Sequence, residues 1–305
     1  MLLRPDVLVL GGGGILGEAW MMGVLAGIED AAGLDLRECE AFVGTSAGSI
    51  VAAHLAAGRS PRRPSTLSSD IELASDHPAN ALVLGALTGA RRASELALEA
   101  WSPLAPLALA AAAPAGALVR AAALAATPRP TARLSDLRRR VADYGARFDG
   151  RLRVACVDRK RGRRTVFGSP GAPPAGVAEA VEASCSVPWL FAPVAIAGRE
   201  YVDGGVWSAT NLDVAPATRD TYVLCLNPTA GVRGAHALLA VARNLARSAV
   251  SIEALALRRR GAVVRTVHPN LECAAAMGGD FMDPEPRRLV LGAGYRQGLT
   301  VAGAG

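Results

Sequence analysis

Ser46 stands between two glycines in the run Gly44-Thr45-Ser46-Ala47-Gly48, a G-x-S-x-G pattern. A short apolar stretch, "AFV" at 41–43, precedes it, and a helix-like run, "SAGSIVAAHLAAG", starts at once. A serine on a sharp strand-to-helix turn has its hydroxyl in the open. Flanking glycines let neighbouring backbone pass close, and the start of the new helix favours the negative charge that attack creates. The chemistry such a serine could do is nucleophilic attack on a carbonyl. The plain alternative is a serine N-cap. The strand before and the helix after favour the nucleophile.

Two more glycine-framed groups accompany it. Gly11 to Gly17 read "GGGGILG" after the apolar run "DVLVL". Gly12, Gly14 and Gly17 also satisfy G-x-G-x-x-G, so a dinucleotide site is a rival. That reading needs an acidic residue about 20 positions on, at the end of the second strand. Here that strand ends in Gly44 to Ser46, and Glu38 and Glu40 lie before it. The glycines are better used as bare backbone N–H donors to an oxyanion. The third group is Asp203-Gly204-Gly205, after the strand-like "REYV". Alone it is an ordinary turn signal; beside Ser46 it is a candidate base.

Four histidines could complete a Ser-His-Asp triad: His54, His77, His236 and His268. His54 lies eight residues along the same helix, about 12 Å from Ser46 and out of reach. His268 is the best of the four, since Ser…Asp…His is the chain order of α/β-hydrolases. Against it, Ser46 comes too early in the chain for that fold, and the glycine loop directly precedes the serine.

Taken together, Gly11–Gly17, Gly44–Gly48, Asp203–Gly205 and the stretch "ASCSVPWLFAPV" at 183–194 resemble the patatin-like phospholipases; Asn211 also fits the pattern. The resemblance implies a three-layer α/β/α fold with a central, mostly parallel sheet and a helical cap insertion. It implies a Ser–Asp dyad without histidine, with Ser46 as nucleophile and Asp203 as base. Gly12, Gly13 and Gly14 are the expected oxyanion donors, with Gly11, Gly17, Gly44, Gly48, Gly204 and Gly205 supporting the turns. The substrate implied is a lipid carrying a fatty-acyl ester, with no cofactor. Two departures stand out. Leu16 occupies the position before the last loop glycine where the family usually has Arg or Lys, and the segment from the glycines to Gly23 is about one residue longer than usual. The alternative within the same fold is a lipid binder without catalysis.

These motifs need elements to hold them. The first sixty residues read β–loop–α–β–turn–α, which suggests a parallel sheet with covering helices. Gly33 is a natural stop for the first helix. Further on, "RLRVACVDR" and "RGRRTVFG" read as a hairpin turning near Gly162, "AGVAEAVEASCS" as a helix, and "TYVLCLNP" and "AVVRTVHP" as strands. A long helix is expected from about Ala235 to Arg259, and another near the C-terminus. Residues 60–130 change character. No charge occurs from Ala100 to Val119, but three prolines and many alanines make this a poor membrane span. It reads as a helical cap or lid inserted into one domain covering 1–305.

Composition sets the remaining bounds. The chain has 305 residues, 51% of them apolar and only 4% aromatic, so small aliphatic side chains must fill its core. The net charge is +6, and Lys160 is the only lysine. Arginine clusters at 138–140, 161–164 and 258–260 read as solvated faces. The sharper reading is peripheral contact with an anionic membrane surface. No nucleic-acid motif is present, so no nucleic-acid partner is expected. Five scattered cysteines without a CxxC pair point to reduced, buried thiols, no metal site and a cytoplasmic setting.

Overall fold

The computed structural model describes residues 3–64, 116–127, 129–231 and 249–303. Its eight strands are β1 (Val7–Leu10), β2 (Ala41–Thr45), β3 (Leu152–Asp158), β4 (Arg163–Phe167), β5 (Val194–Ile196), β6 (Arg199–Asp203), β7 (Tyr222–Leu226) and β8 (Val263–Val267). The helices are α1 (Gly14–Ala32), α2 (Ala47–Ala56), α3 (Gly116–Ala126), α4 (Ser135–Ala142), α5 (Val177–Cys185), α6 (helical at 249–259), α7 (Leu271–Met277) and α8 (Arg287–Gly303). Most of the cap expected at 60–130, along with His77, lies outside the described residues. So do His236 and the first part of the long helix expected from Ala235.

The centre of the sheet is parallel, in the order β3-β2-β1-β7-β8. All four residues of β1 are buried, as a strand covered on both faces must be. Leu8 and Leu10 pack with Trp20, Met21 and Leu25 of α1 and Val51 of α2 on one face. Val7 and Val9 pack with Val250, Ala254 and Leu257 of α6 on the other. The result is a three-layer α/β/α arrangement. α1 closes on Gly33, whose φ of 65° is the left-handed conformation a helix stop requires. α8 lies against α1, where Trp20 Nε1 donates to Gln297 Oε1 at 2.8 Å.

The antiparallel strands sit on the β3 side. Residue partners along β3 show how. Ala155 faces Thr45 of β2 on one side and Val166 of β4 on the other. Cys156, the next residue, faces Asp203 of β6 and Thr165 of β4. A strand has two edges, and β4 occupies one throughout. So β6 takes the same edge as β2, immediately beyond where β2 ends. The two strands run toward each other, and their last residues, Thr45 and Asp203, come to lie end to end.

The five cysteines are free and buried, in line with the composition. Among the described residues, no helix is long and apolar enough to cross a membrane.

Candidate active site

Ser46 sits at the tip of the turn between β2 and α2, half-buried, with φ 50° and ψ −123°. A non-glycine residue adopts that conformation only when its surroundings impose it. They do so here from several sides. The Ser46 N–H donates to Ser184 Oγ at 2.9 Å, and the Ser184 hydroxyl donates to the Ala155 carbonyl at 2.7 Å. Ser49 Oγ donates to the Ser46 carbonyl at 2.6 Å. The start of α2 presses so closely on β1 that a Cβ on Gly48 would overlap the Leu10 carbonyl. Gly44 is likewise packed on the backbone of Ser49. Ser184 belongs to α5, and its part in fixing the turn has no short-range signal in the sequence.

Asp203 ends β6, where convergence with β2 brings its carboxyl to the Ser46 side chain. The carboxyl is buried, and burial pushes its pKa from 3.8 up to about 6. The Gly205 N–H, donating to Oδ1 at 2.6 Å, and the Ser46 side chain both act in the opposite sense, favouring the ionised form. The Asp203 N–H donates to the Ser186 carbonyl at 3.0 Å. The turn after Asp203 lies directly on β3, and a Cβ on Gly204 would overlap the Ala155 carbonyl.

The glycine loop follows β1, one strand from the Ser46 turn. The Gly11 N–H donates to Leu226 O at 2.9 Å and the Gly12 N–H to Ala209 O at 2.8 Å. Gly12 therefore leaves the expected set of oxyanion donors, because its N–H already has a backbone acceptor. Gly13 precedes α1, and a Cβ there would lie 2.6 Å from Pro228 Cβ. Gly14, at φ 59°, is the first residue of α1, and Gly17 belongs to its first turn. The Leu16 side chain is fully buried, so the position where the family usually carries a cation is a core position here.

A buried polar cluster joins the three motifs. Asn211, with φ 50° and no exposure, donates from Nδ2 to Thr45 Oγ1 at 3.0 Å, to Ser208 O at 2.8 Å and to Gly204 O at 3.3 Å. Its Oδ1 accepts from Arg164 at 3.1 Å. Thr45 Oγ1 donates onward to Thr210 O at 3.3 Å. Glu253 of α6 accepts from Thr210 Oγ1 and from the Leu212 N–H, both at 2.9 Å. Burial raises its pKa. The 208–212 segment thus touches the end of β2, the turn after Asp203 and, through Ala209, the glycine loop. Sequence reading finds Asn211 by resemblance and misses Glu253.

The described histidines lie elsewhere. His54 Nε2 pairs with Ser60 O at 2.9 Å, and its ring packs edge-on against Tyr144. His268 follows β8, which β1 and β7 separate from β2. Three strand spacings are about 14 Å, too far for a hydrogen bond. Among the described residues, no group of three His, Cys, Asp or Glu side chains could hold a metal ion.

The family profile of patatin-like phospholipases matches residues 8–216. No curated protein matches the sequence. Among solved structures, VipD from Legionella pneumophila is similar over 99% of this chain and 67% of its own, at 15% identity and a TM-score of 0.45. The type III effector ExoU is similar over 99% of this chain and 53% of its own, at 17% identity and a TM-score of 0.38. The ExoU–SpcU complex from the type III secretion system of Pseudomonas aeruginosa gives 97%, 51%, 22% and 0.39. The chain thus spans about half the length of ExoU.

Proposed function

The chain belongs to the patatin-like phospholipase family, and we propose that it is a serine acyl hydrolase that cleaves fatty-acyl esters of lipids through a Ser46–Asp203 dyad. The observation that carries this reading is the buried Asp203 carboxyl beside the Ser46 side chain, pushed up to about 6 and with no described histidine in reach. A carboxylate with a pKa of that order is a far better proton acceptor near neutrality than an ordinary aspartate.

In the proposed reaction Ser46 Oγ attacks the acyl carbonyl and its proton passes to Asp203. The Gly13 and Gly14 N–H groups stabilise the oxyanion, helped by the helix starts at Gly14 and Ala47. The tetrahedral species collapses, and the leaving alcohol takes the proton from Asp203. Water then attacks the acyl-serine, giving a proton to Asp203, and that proton returns to Ser46 Oγ as the fatty acid leaves. The family supports a phospholipase A or lysophospholipase type of substrate. Peripheral contact with an anionic membrane surface fits the arginine-rich composition and belongs to the same proposal.

The test is fluorophosphonate labelling and short p-nitrophenyl ester hydrolysis by the wild type, Ser46→Ala, Asp203→Asn and His268→Ala. Loss in the first two variants with retention in the third is the expected result. A dead His268→Ala enzyme with an active Asp203→Asn enzyme would overturn the dyad. A folded wild type that neither labels nor turns over, even with lipid vesicles present, would leave a non-catalytic lipid binder as the account.

A further inference from the structure

A cleft of about 840 Å³ opens on the side of β3 and β4, bounded by the segments 169–173 and 213–218. Its walls are mostly small residues and prolines, so its charge comes from a few long side chains. Arg153, Arg164, Arg199 and Arg260 line it, against one acidic residue, Asp213. Arg164 is held by Asp213 in a two-pronged pair, at 2.6 and 2.7 Å. Arg199 lies 3.9 Å from Asp158, which is outside the cleft lining. Arg153 differs from both. One guanidinium N–H reaches the Val214 carbonyl at 2.7 Å, while its buried Nε has no acceptor. Among the described residues it has no carboxylate partner, and burial alone depresses its pKa. A half-buried guanidinium without a counter-charge is costly to hold, and an anion would offset that cost.

We propose that this cleft is a binding site for a phosphate monoester or polyphosphate group, held by Arg153 and Arg260 and shared with Arg164. The planar guanidinium fork pairs with anionic oxygens rather than with a neutral ligand, and four arginines against one carboxylate suit the higher charge of a phosphate over that of a carboxylate. The site is linked to the catalytic region by a short polar path. Arg164 donates to Asn211 Oδ1 at 3.1 Å, and Asn211 Nδ2 donates to Thr45 Oγ1 and Gly204 O. An anion in the cleft competes with Asp213 for Arg164, and so bears on the residue that spans the nucleophile strand and the base loop. The binding claim is independent of the proposed hydrolase reading; the coupling rests on it.

The test uses the full chain carrying Ser46→Ala. Pyrophosphate is titrated in while the heat of binding is followed. In parallel, the protein is sedimented with phosphatidylcholine vesicles with and without phosphatidic acid. Arg260→Glu and Arg153→Met are added separately. Arg260 is exposed, so its replacement keeps the test valid if Arg153→Met fails to fold. Saturable pyrophosphate binding that each folded variant weakens about tenfold or more identifies a free phosphate ligand. Sedimentation only with phosphatidic acid, lost in the same variants, identifies a lipid headgroup. Binding of neither probe, or binding that Arg260→Glu leaves unchanged, overturns the site. For the coupling, wild-type hydrolysis of a short soluble ester is measured with the bound probe at saturation. A changed kcat is expected, and an unchanged one overturns the relay while the binding result stands by itself.

Discussion

Asn211 Nδ2 donates to Thr45 Oγ1 at 3.0 Å and to the Gly204 carbonyl at 3.3 Å, joining the residue before Ser46 to the residue after Asp203. Asn211→Ala removes this bridge and leaves buried acceptors unsatisfied. It also puts alanine at φ 50°, which asparagine tolerates better. The expected cost is about 2–3 kcal/mol of stability. Ester turnover should fall about tenfold or more, in kcat rather than KM, because the attacking and accepting groups lose their fixed spacing. Denaturant unfolding and steady-state kinetics on one preparation check both.

The pH dependence follows from Asp203. With its carboxyl raised from 3.8 to about 6, the base form dominates only above that value. The kcat/KM for a short ester should rise with pH through about 6 and level off above it. The stability effect runs the other way. The folded protein holds this proton more tightly than the unfolded chain does. The contribution is therefore full below 3.8 and lost as pH rises through about 6, a change of about 3 kcal/mol. Asp203→Asn has no such loss. Its stability advantage over the wild type should be larger at pH 8 than at pH 4, even though its turnover should be lost. Urea unfolding of both proteins at the two pH values measures the difference.

Ser46 holds a backbone conformation that glycine adopts at little cost. Ser46→Gly should therefore stabilise the fold, by about 1–3 kcal/mol, while abolishing turnover. Ser46→Ala should abolish turnover without that gain, because alanine keeps the Cβ. The separation of the two unfolding midpoints is the measurement.

Gly14 combines φ 59° with a position where a Cβ would lie 2.6 Å from the Phe281 carbonyl oxygen. Gly14→Ala should shift the start of α1 and misdirect the N–H groups offered to the oxyanion. A drop of about a hundredfold in kcat is expected, with circular dichroism unchanged. Labelling by a small fluorophosphonate should slow in parallel.

What the sequence made legible was local. The turn around Ser46 is announced by glycines two residues either side, and the Gly33 stop and the Gly162 turn by single residues whose φ values are positive. Strands β3, β7 and β8 are apolar runs that read as such. What stayed hidden depends on parts of the chain meeting in space. Nothing near Gly12 indicates that Ala209 will take its N–H, nothing near Ser184 indicates that it will hold the Ser46 turn, and nothing near Glu253 indicates that it will anchor the 208–212 segment. The short strand β5 is not legible either, because its three residues carry too little periodicity to separate them from a loop.

The end-to-end meeting of β2 and β6 along β3 has a kinetic consequence. Ser46 and Asp203 come from distant parts of the chain and share no local contact that could form first. Such a pairing carries a large loop-closure cost and belongs to the late, non-local stage of folding. A chain that has already formed its first β–α–β unit thus carries a shaped serine turn without the proposed proton acceptor. During refolding from urea, recovery of ester turnover should lag behind recovery of the far-ultraviolet helix signal. A partly folded molecule is then harmless to the ester bonds around it until its sheet is complete.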